Sequence, residues 1–160
     1  MQFQNLKREE ADIITALKIY HSNPDFLLHH LGYSEISSDF ILEELAEAVQ
    51  HSFDLCFVIE QNQPVGILDY KQSPDSYVYL SLLMLDAAFQ KQGLGKYTYQ
   101  VFESLVRQHG AGHIRIDVVN DYEPNLIPFW QRLGFRGTRS DSLTWGNKRS
   151  QILVMEKQLI

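Results

Sequence analysis

The stretch that most constrains the fold is a long apolar run, Tyr77 to Leu85, that passes through Asp86–Gln92 into Gly93-Leu94-Gly95. Beyond Lys96, the residues Val101, Phe102, Leu105 and Val106 recur at helical spacing up to His109-Gly110. A strand running through a glycine loop into a helix leaves free backbone N–H groups and the positive end of the helix dipole at one point. Such a point is a cradle for phosphate or pyrophosphate, and Lys91 and Lys96 add positive charge to it. Two common phosphate loops do not fit. A P-loop needs Gly-Lys-Ser/Thr, whereas Gly95-Lys96 is followed by Tyr97. A dinucleotide fingerprint needs a third glycine and a strand that opens a βαβ unit.

The remaining pattern fills in a mixed α/β or α+β order. A short strand at Gln2–Leu6 precedes a helix from Glu9 to Ser22 with Ile13, Ala16, Leu17 and Tyr20 on one face. Pro24 stops it, and Phe26, Leu27, Leu28 and Leu31 predict a second short helix closed by Gly32. Ser37 or Ser38 caps a third, with Ile41, Leu42, Leu45 and Val49 inward and Glu43, Glu44 and Glu47 outward. Strands follow at Leu55–Ile59 and Val65–Tyr70, then the long strand 77–85, the glycine-loop helix and a strand at Ile114–Val119. A helix is expected over Pro124–Leu133 with Gly134 as its stop, then strands from Phe135 onward and at Gln151–Gln158.

Composition narrows the class. The 160 residues suit one domain spanning 1–160. One cysteine, Cys56, excludes an internal disulfide and a multi-cysteine zinc site. Fourteen Lys and Arg against twenty Asp and Glu leave a net charge of −6, which argues against nonspecific nucleic-acid binding and favours a cationic partner. No apolar run is long enough to span a bilayer and the start lacks the apolar core of a secretion signal, so a cytoplasmic location is expected. No metal site is expected. His29-His30 are adjacent and diverge on a helix, and Cys56 reads as a small buried hydrophobe. Tyr20, Phe26, Tyr33 and Phe40 are core or pocket residues that the sequence does not divide.

Gln90, Gly93 and Gly95 directly after the long strand resemble motif A (Gln-x-x-Gly-x-Gly) of the GNAT superfamily of N-acetyltransferases. Phe129-Trp130-Gln131-Arg132-Leu133-Gly134-Phe135 is similar to the superfamily's Phe-Tyr-x-x-x-Gly-Phe helix exit, and Val154–Lys157 to its last strand. The resemblance implies a GNAT-like fold. A central mixed, mostly antiparallel sheet of six or seven strands would be flanked by helices and splayed between strands 77–85 and 114–119. It also implies acetyl-CoA as co-substrate. Leu83, Met84 and Leu85 would meet the pantetheine arm, and Gln90, Lys91, Gln92, Gly93, Leu94, Gly95 and Lys96 the pyrophosphate. Asn125, a small shift from Glu123, would reach the same arm. The implied reaction is transfer of an acetyl group to a primary amine by direct attack in a ternary complex. The acceptor would be a small molecule or a peptide, and dimers are common in the superfamily.

Direct transfer needs a base, because a lysine-type amine has a pKa near ~10.4. It needs a donor for the oxyanion, most simply the N–H of Met84 or Leu85, and a proton for the departing thiolate. The superfamily's usual proton-donating tyrosine is replaced by Trp130, which leaves Tyr97, Tyr99 and Tyr122, with Tyr122 ranked first. The long strand has Tyr79 near the place where some members carry an acid, so Asp69 and Asp117 are the available bases. Asp117 and Tyr122 together are the expected catalytic pair. These departures keep a rival open: a CoA-binding sensor with little turnover.

Overall fold

A computed structural model describes residues 1–160. Seven strands form one sheet: β1 (Gln2–Asn5), β2 (Asp54–Glu60), β3 (Gln63–Gln72), β4 (Tyr77–Leu85), β5 (His113–Val119), β6 (Arg136–Trp145) and β7 (Lys148–Gln158). Their order across the sheet is β1-β2-β3-β4-β5-β7-β6. Every neighbouring pair is antiparallel except β4 and β5, which are parallel. The helices are α1 (Glu10–His21), α2 (Pro24–Leu31), α3 (Ser38–His51), α4 (Leu94–Gln108) and α5 (Ile127–Arg132). None is long and apolar enough to cross a membrane.

Alternation along the strands divides the apolar side chains between two cores. One unites Ala16, Ile19, Tyr20, Leu27 and Ile41 of α1–α3 with Phe57, Ile67, Leu82 and Met84 of the sheet. The other joins Tyr99, Phe102 and Val106 of α4 to Val78, Leu80, Ile114, Ile116 and Met155. The change of side between Leu80 and Leu82 has a local cause. Asp69 pairs with Leu82 and Tyr70 with Leu80, so Ser81 is the extra residue of a β-bulge. A bulge re-aims the side chains beyond it and strengthens the twist. Past this point β4 leaves β5: the two strands pair only at Tyr77–Tyr79 with His113–Arg115. The expected splay is therefore present, and it starts at a nameable residue.

Three expectations need correction. The helix expected over 124–133 covers only Ile127–Arg132. Asn125 Oδ1 accepts from the Ile127 N–H at 3.0 Å, a local turn that competes with an earlier helical start. The stop at Gly134 holds, with φ +94°. On α3 the inward arc is rotated: Ala48 is buried while Val49 is 84% exposed, and Glu44 lines a cavity over the sheet rather than facing solvent. The last hairpin is also longer than expected, because β7 begins at Lys148.

Candidate active site

The gap that opens between β4 and β5 is edged by β4 backbone that β5 does not pair. The Asp86 N–H donates to the Val65 carbonyl at 2.9 Å, toward β3. In an antiparallel ladder, residues offset by one turn their polar groups the other way. Leu83 and Leu85 therefore face the gap, and Met84 pairs with Ile67 of β3. The Leu85 carbonyl accepts from Asn23 Nδ2 and Gln90 Nε2, each at 2.9 Å, and Gln90 Nε2 also donates to Asn23 Oδ1 at 2.6 Å. The Gln90 side chain thus pins the strand end to the α1–α2 junction and does not point into the glycine loop. Asn23 carried no signal in the sequence beyond preceding Pro24.

The loop itself has the form expected of an anion cradle. Lys91 has φ +61° and Gly93, the N-cap of α4, has φ +79°, a conformation that favours glycine. No side chain caps α4 and no acid lies in its first turn. The first N–H of the helix with a backbone partner is Tyr97, donating to Gly93 at 3.1 Å. The N–H groups of Leu94, Gly95 and Lys96 are left for a ligand. Lys91, Gln92 and Lys96 are exposed around them. A groove of about 490 Å³ runs from this cradle along the free edge of β4, lined by Leu83, Met84, Leu85, Gln90, Gly95 and Phe129. A long ligand with a diphosphate at one end and amides along an arm fits such a groove, its charge on the helix end and its amides on the unpaired strand.

A second cavity, of about 300 Å³, lies on the other side of the splay. Its floor includes Tyr79, Ser81 and Leu83 of β4 and Asp117 of β5, and its walls include Phe26 and His30 of α2, Glu44 of α3 and Trp145 of β6. No lysine or arginine lines it. Asp117 is neutralised from within the sheet: Arg115 Nε and Nη2 donate to its two oxygens at 2.8 and 3.0 Å, and the Tyr79 hydroxyl adds a third bond at 3.1 Å. Asp69 accepts from the Ser81 hydroxyl, while its other oxygen, Oδ1, is buried and has no partner. Burial pushes the Asp69 carboxyl up to about 6, with the Asp54 charge adding to the effect and the Ser81 bond opposing it. Glu44 takes one bond, from Trp145 Nε1 at 3.3 Å. Burial raises it to about 7 against that bond, and the Asp69 charge adds. The His30 ring is driven down to about 4, chiefly by burial. It is therefore neutral at pH 7, bonded through Nδ1 to the Phe26 carbonyl at 2.8 Å.

The raised Glu44 value carries a stability consequence. A carboxyl that holds its proton more tightly in the folded chain stabilises it below the ordinary Glu pKa of ~4.3, and that stability is lost as pH rises through about 7. Glu44→Gln keeps an acceptor for Trp145 and removes the titration. In urea unfolding the variant should be more stable than the parent by about 2–3 kcal/mol at pH 8, with the difference vanishing near pH 4.5. An unchanged or lowered stability at pH 8 would contradict the burial of this charge.

The two cavities meet. Phe26, Leu83, Tyr122, Leu126 and Trp130 line both. Tyr122 is held at this junction by a face-to-face stack on His29, centroids 4.0 Å apart and planes 7° apart. Burial, then the Asp121 charge, raises its phenol above the ordinary value. Among the tyrosines weighed for proton donation, Tyr97 is exposed on α4 and Tyr99 is buried in the α4 core against Trp130 and Phe135. Neither lines a cavity shared by the two halves. Asn125 is engaged within its own loop, bonding Glu123 Oε1 at 3.1 Å and the Ile127 N–H, and does not line the groove.

A strand splayed at a bulge, an uncapped helix behind a Gly-x-Gly loop and a late aromatic helix follow one another along this chain. The family model described as "Acetyltransferase (GNAT) family" matches residues 18–135. The chain belongs to the GNAT acetyltransferase family. Solved GNAT-like structures superpose over its whole length. An acetyltransferase from Thermus thermophilus matches with a TM-score of 0.77 at 19% identity, covering 99% of this chain and 96% of that one. The ribosomal-protein-alanine N-acetyltransferase from Brucella melitensis gives 0.70 at 15%, covering 99% and 100%. An aminoglycoside 6'-N-acetyltransferase complexed with coenzyme A gives 0.69 at 15%, covering 100% and 98%. These likenesses establish a shared fold. No curated protein matches the sequence.

Proposed function

We propose that this GNAT enzyme transfers the acetyl group of acetyl-CoA directly to an amine held in the acidic cavity. The observation that carries the reading is the meeting of an anion-cradled groove and an acidic pocket at Leu83 and Tyr122. Acetyl-CoA supplies an activated thioester; the rest is done by this chain. The N–H groups of Leu94, Gly95 and Lys96, with Lys91 and Lys96, hold the diphosphate, and the gap-facing edge of Leu83 and Leu85 takes the amide arm. The same edge offers an N–H to the thioester oxygen, with Leu85 better oriented for it than Met84.

The amine must lose a proton before it can attack. Asp69 is the base best suited to this: it lines the cavity, its one side-chain bond is from the Ser81 hydroxyl, and its pKa near 6 leaves it ionised at neutral pH. Asp117 has the weaker claim, since Arg115 and Tyr79 occupy both its oxygens. Tyr122, at the junction, is the proton donor for the thiolate.

The test is thiol release from acetyl-CoA with a panel of primary amines, with the acetylated product confirmed by mass. Amine-dependent release is expected. Tight coenzyme A binding with no release across the panel would favour a sensor instead. For the base, the profile of log kcat/KM against pH should steepen below about pH 6. Asp69→Asn should lower kcat/KM roughly 100-fold and remove that break; a break that persists in the variant would exclude Asp69.

A further inference from the structure

The acidic cavity holds more negative charge than one reacting amine can answer. Asp117 is matched by Arg115 within the protein. Asp69, on the reading above, takes the proton that the reacting amine gives up and becomes neutral. Glu44 is then the one carboxylate of the cavity that nothing balances. Its Oε1 accepts only a neutral indole N–H, and no lysine or arginine lines the space. Glu44 lines the acidic cavity and not the groove. Trp145, which donates to it, makes an edge contact with Phe26, ring centroids 6.4 Å apart. A carboxylate in a cavity walled by aromatic side chains and holding no protein cation is a setting for an organic ammonium. A bare metal ion is disfavoured, because no three His, Cys, Asp or Glu side chains gather here to ligate one.

We propose that the acceptor is a compact small molecule with a second basic nitrogen, which stays protonated and is held by Glu44 beside Trp145 while the first is acetylated at the Tyr122 junction. The inference rests on the acetyl-transfer reading of the site and narrows its acceptor to a dication. Glu44 is then a specificity-determining residue and takes no part in the proton transfers.

The test compares putrescine and cadaverine with butylamine and pentylamine, the same chains bearing one ammonium. In the parent enzyme each diamine should exceed its monoamine in kcat/KM by at least ~10-fold, the range expected for a desolvated charge pair. In Glu44→Gln this ratio should fall toward unity, and coenzyme A affinity, measured by calorimetry, reports that the variant is folded. Calorimetry of putrescine with the coenzyme A complex gives a readout independent of turnover: binding in the parent, with affinity lowered by a similar factor in the variant. Equal kcat/KM for diamines and monoamines in the parent overturns the inference while leaving acetyl transfer intact. So does an equal loss for both series in Glu44→Gln, or a preference for a peptide N-terminus over every small amine. Absence of turnover with all amines, in protein that binds acetyl-CoA, removes the reading beneath it as well.

Discussion

Gly93→Asp is expected to abolish acetyl-CoA binding, lowering affinity by at least ~100-fold in calorimetry while leaving the fold intact. The fold should survive because a Cβ at Gly93 meets nothing within 4 Å, and aspartate is among the few side-chain-bearing residues that tolerate φ near +79°. The backbone strain is of order 1 kcal/mol. The electrostatic cost is larger. A carboxylate at the mouth of the cradle opposes a diphosphate a few ångströms away, and a single such like-charge pair costs about 4 kcal/mol at a surface-like dielectric. Gly93→Asn separates the two terms, since it has the same shape and the same left-handed tolerance without charge. It should keep affinity within roughly tenfold of the parent. An aspartate variant that binds as well as the parent would show that the diphosphate lies elsewhere, and an equal loss in the asparagine variant would make the cradle a matter of space rather than charge.

Tyr122→Phe should lower kcat by about 100-fold or more, in the range typical of a lost general acid, with little change in acetyl-CoA affinity. Phenylalanine keeps the ring that stacks on His29, so the junction retains its shape and only the hydroxyl is lost. The half-buried phenol has its pKa held above the ordinary value, so it is fully protonated at neutral pH and ready to donate. If kcat is unchanged and product release is not limiting, the thiolate takes its proton from water and Tyr122 serves only as a wall. A parallel loss of coenzyme A affinity would likewise reassign it to binding.

The glycine-loop half of the candidate site was legible in the sequence because its signals are local. Gly93 needs positive φ, the helix behind it starts without a cap, and both properties are written within a few residues of Gln90. The strand bounds 77–85 were equally plain, since apolar residues dominate between turn-forming stretches. The acidic cavity was not legible, because distant segments assemble it. Glu44 and Trp145 are 101 residues apart and meet only when β6 folds back beside α3. Helical phase misled as well. Periodicity put Val49 inward and Glu44 outward, but the arc that α3 buries is fixed by its packing on α1 and the sheet, which admits the small Ala48 and turns Glu44 toward the cavity. Spacing allows Arg115 to pair with Asp117, since alternate residues of one strand share a face, but it could not say that Tyr79 of β4 would add a third bond. Asp69 and Asp117 read alike as sequence, and only the structure sets a half-satisfied carboxylate apart from a fully engaged one.

The pairing of β4 with β5 ends after three residues. Mechanically, the sheet is two plates, β1–β4 and β5–β7, joined along a short seam, with α4 laid across the joint on one side. A ligand whose amides bridge the open part of the seam acts as a rivet. Loading the groove should therefore slow amide exchange at Leu83 and Leu85 and raise the temperature at which the plates part.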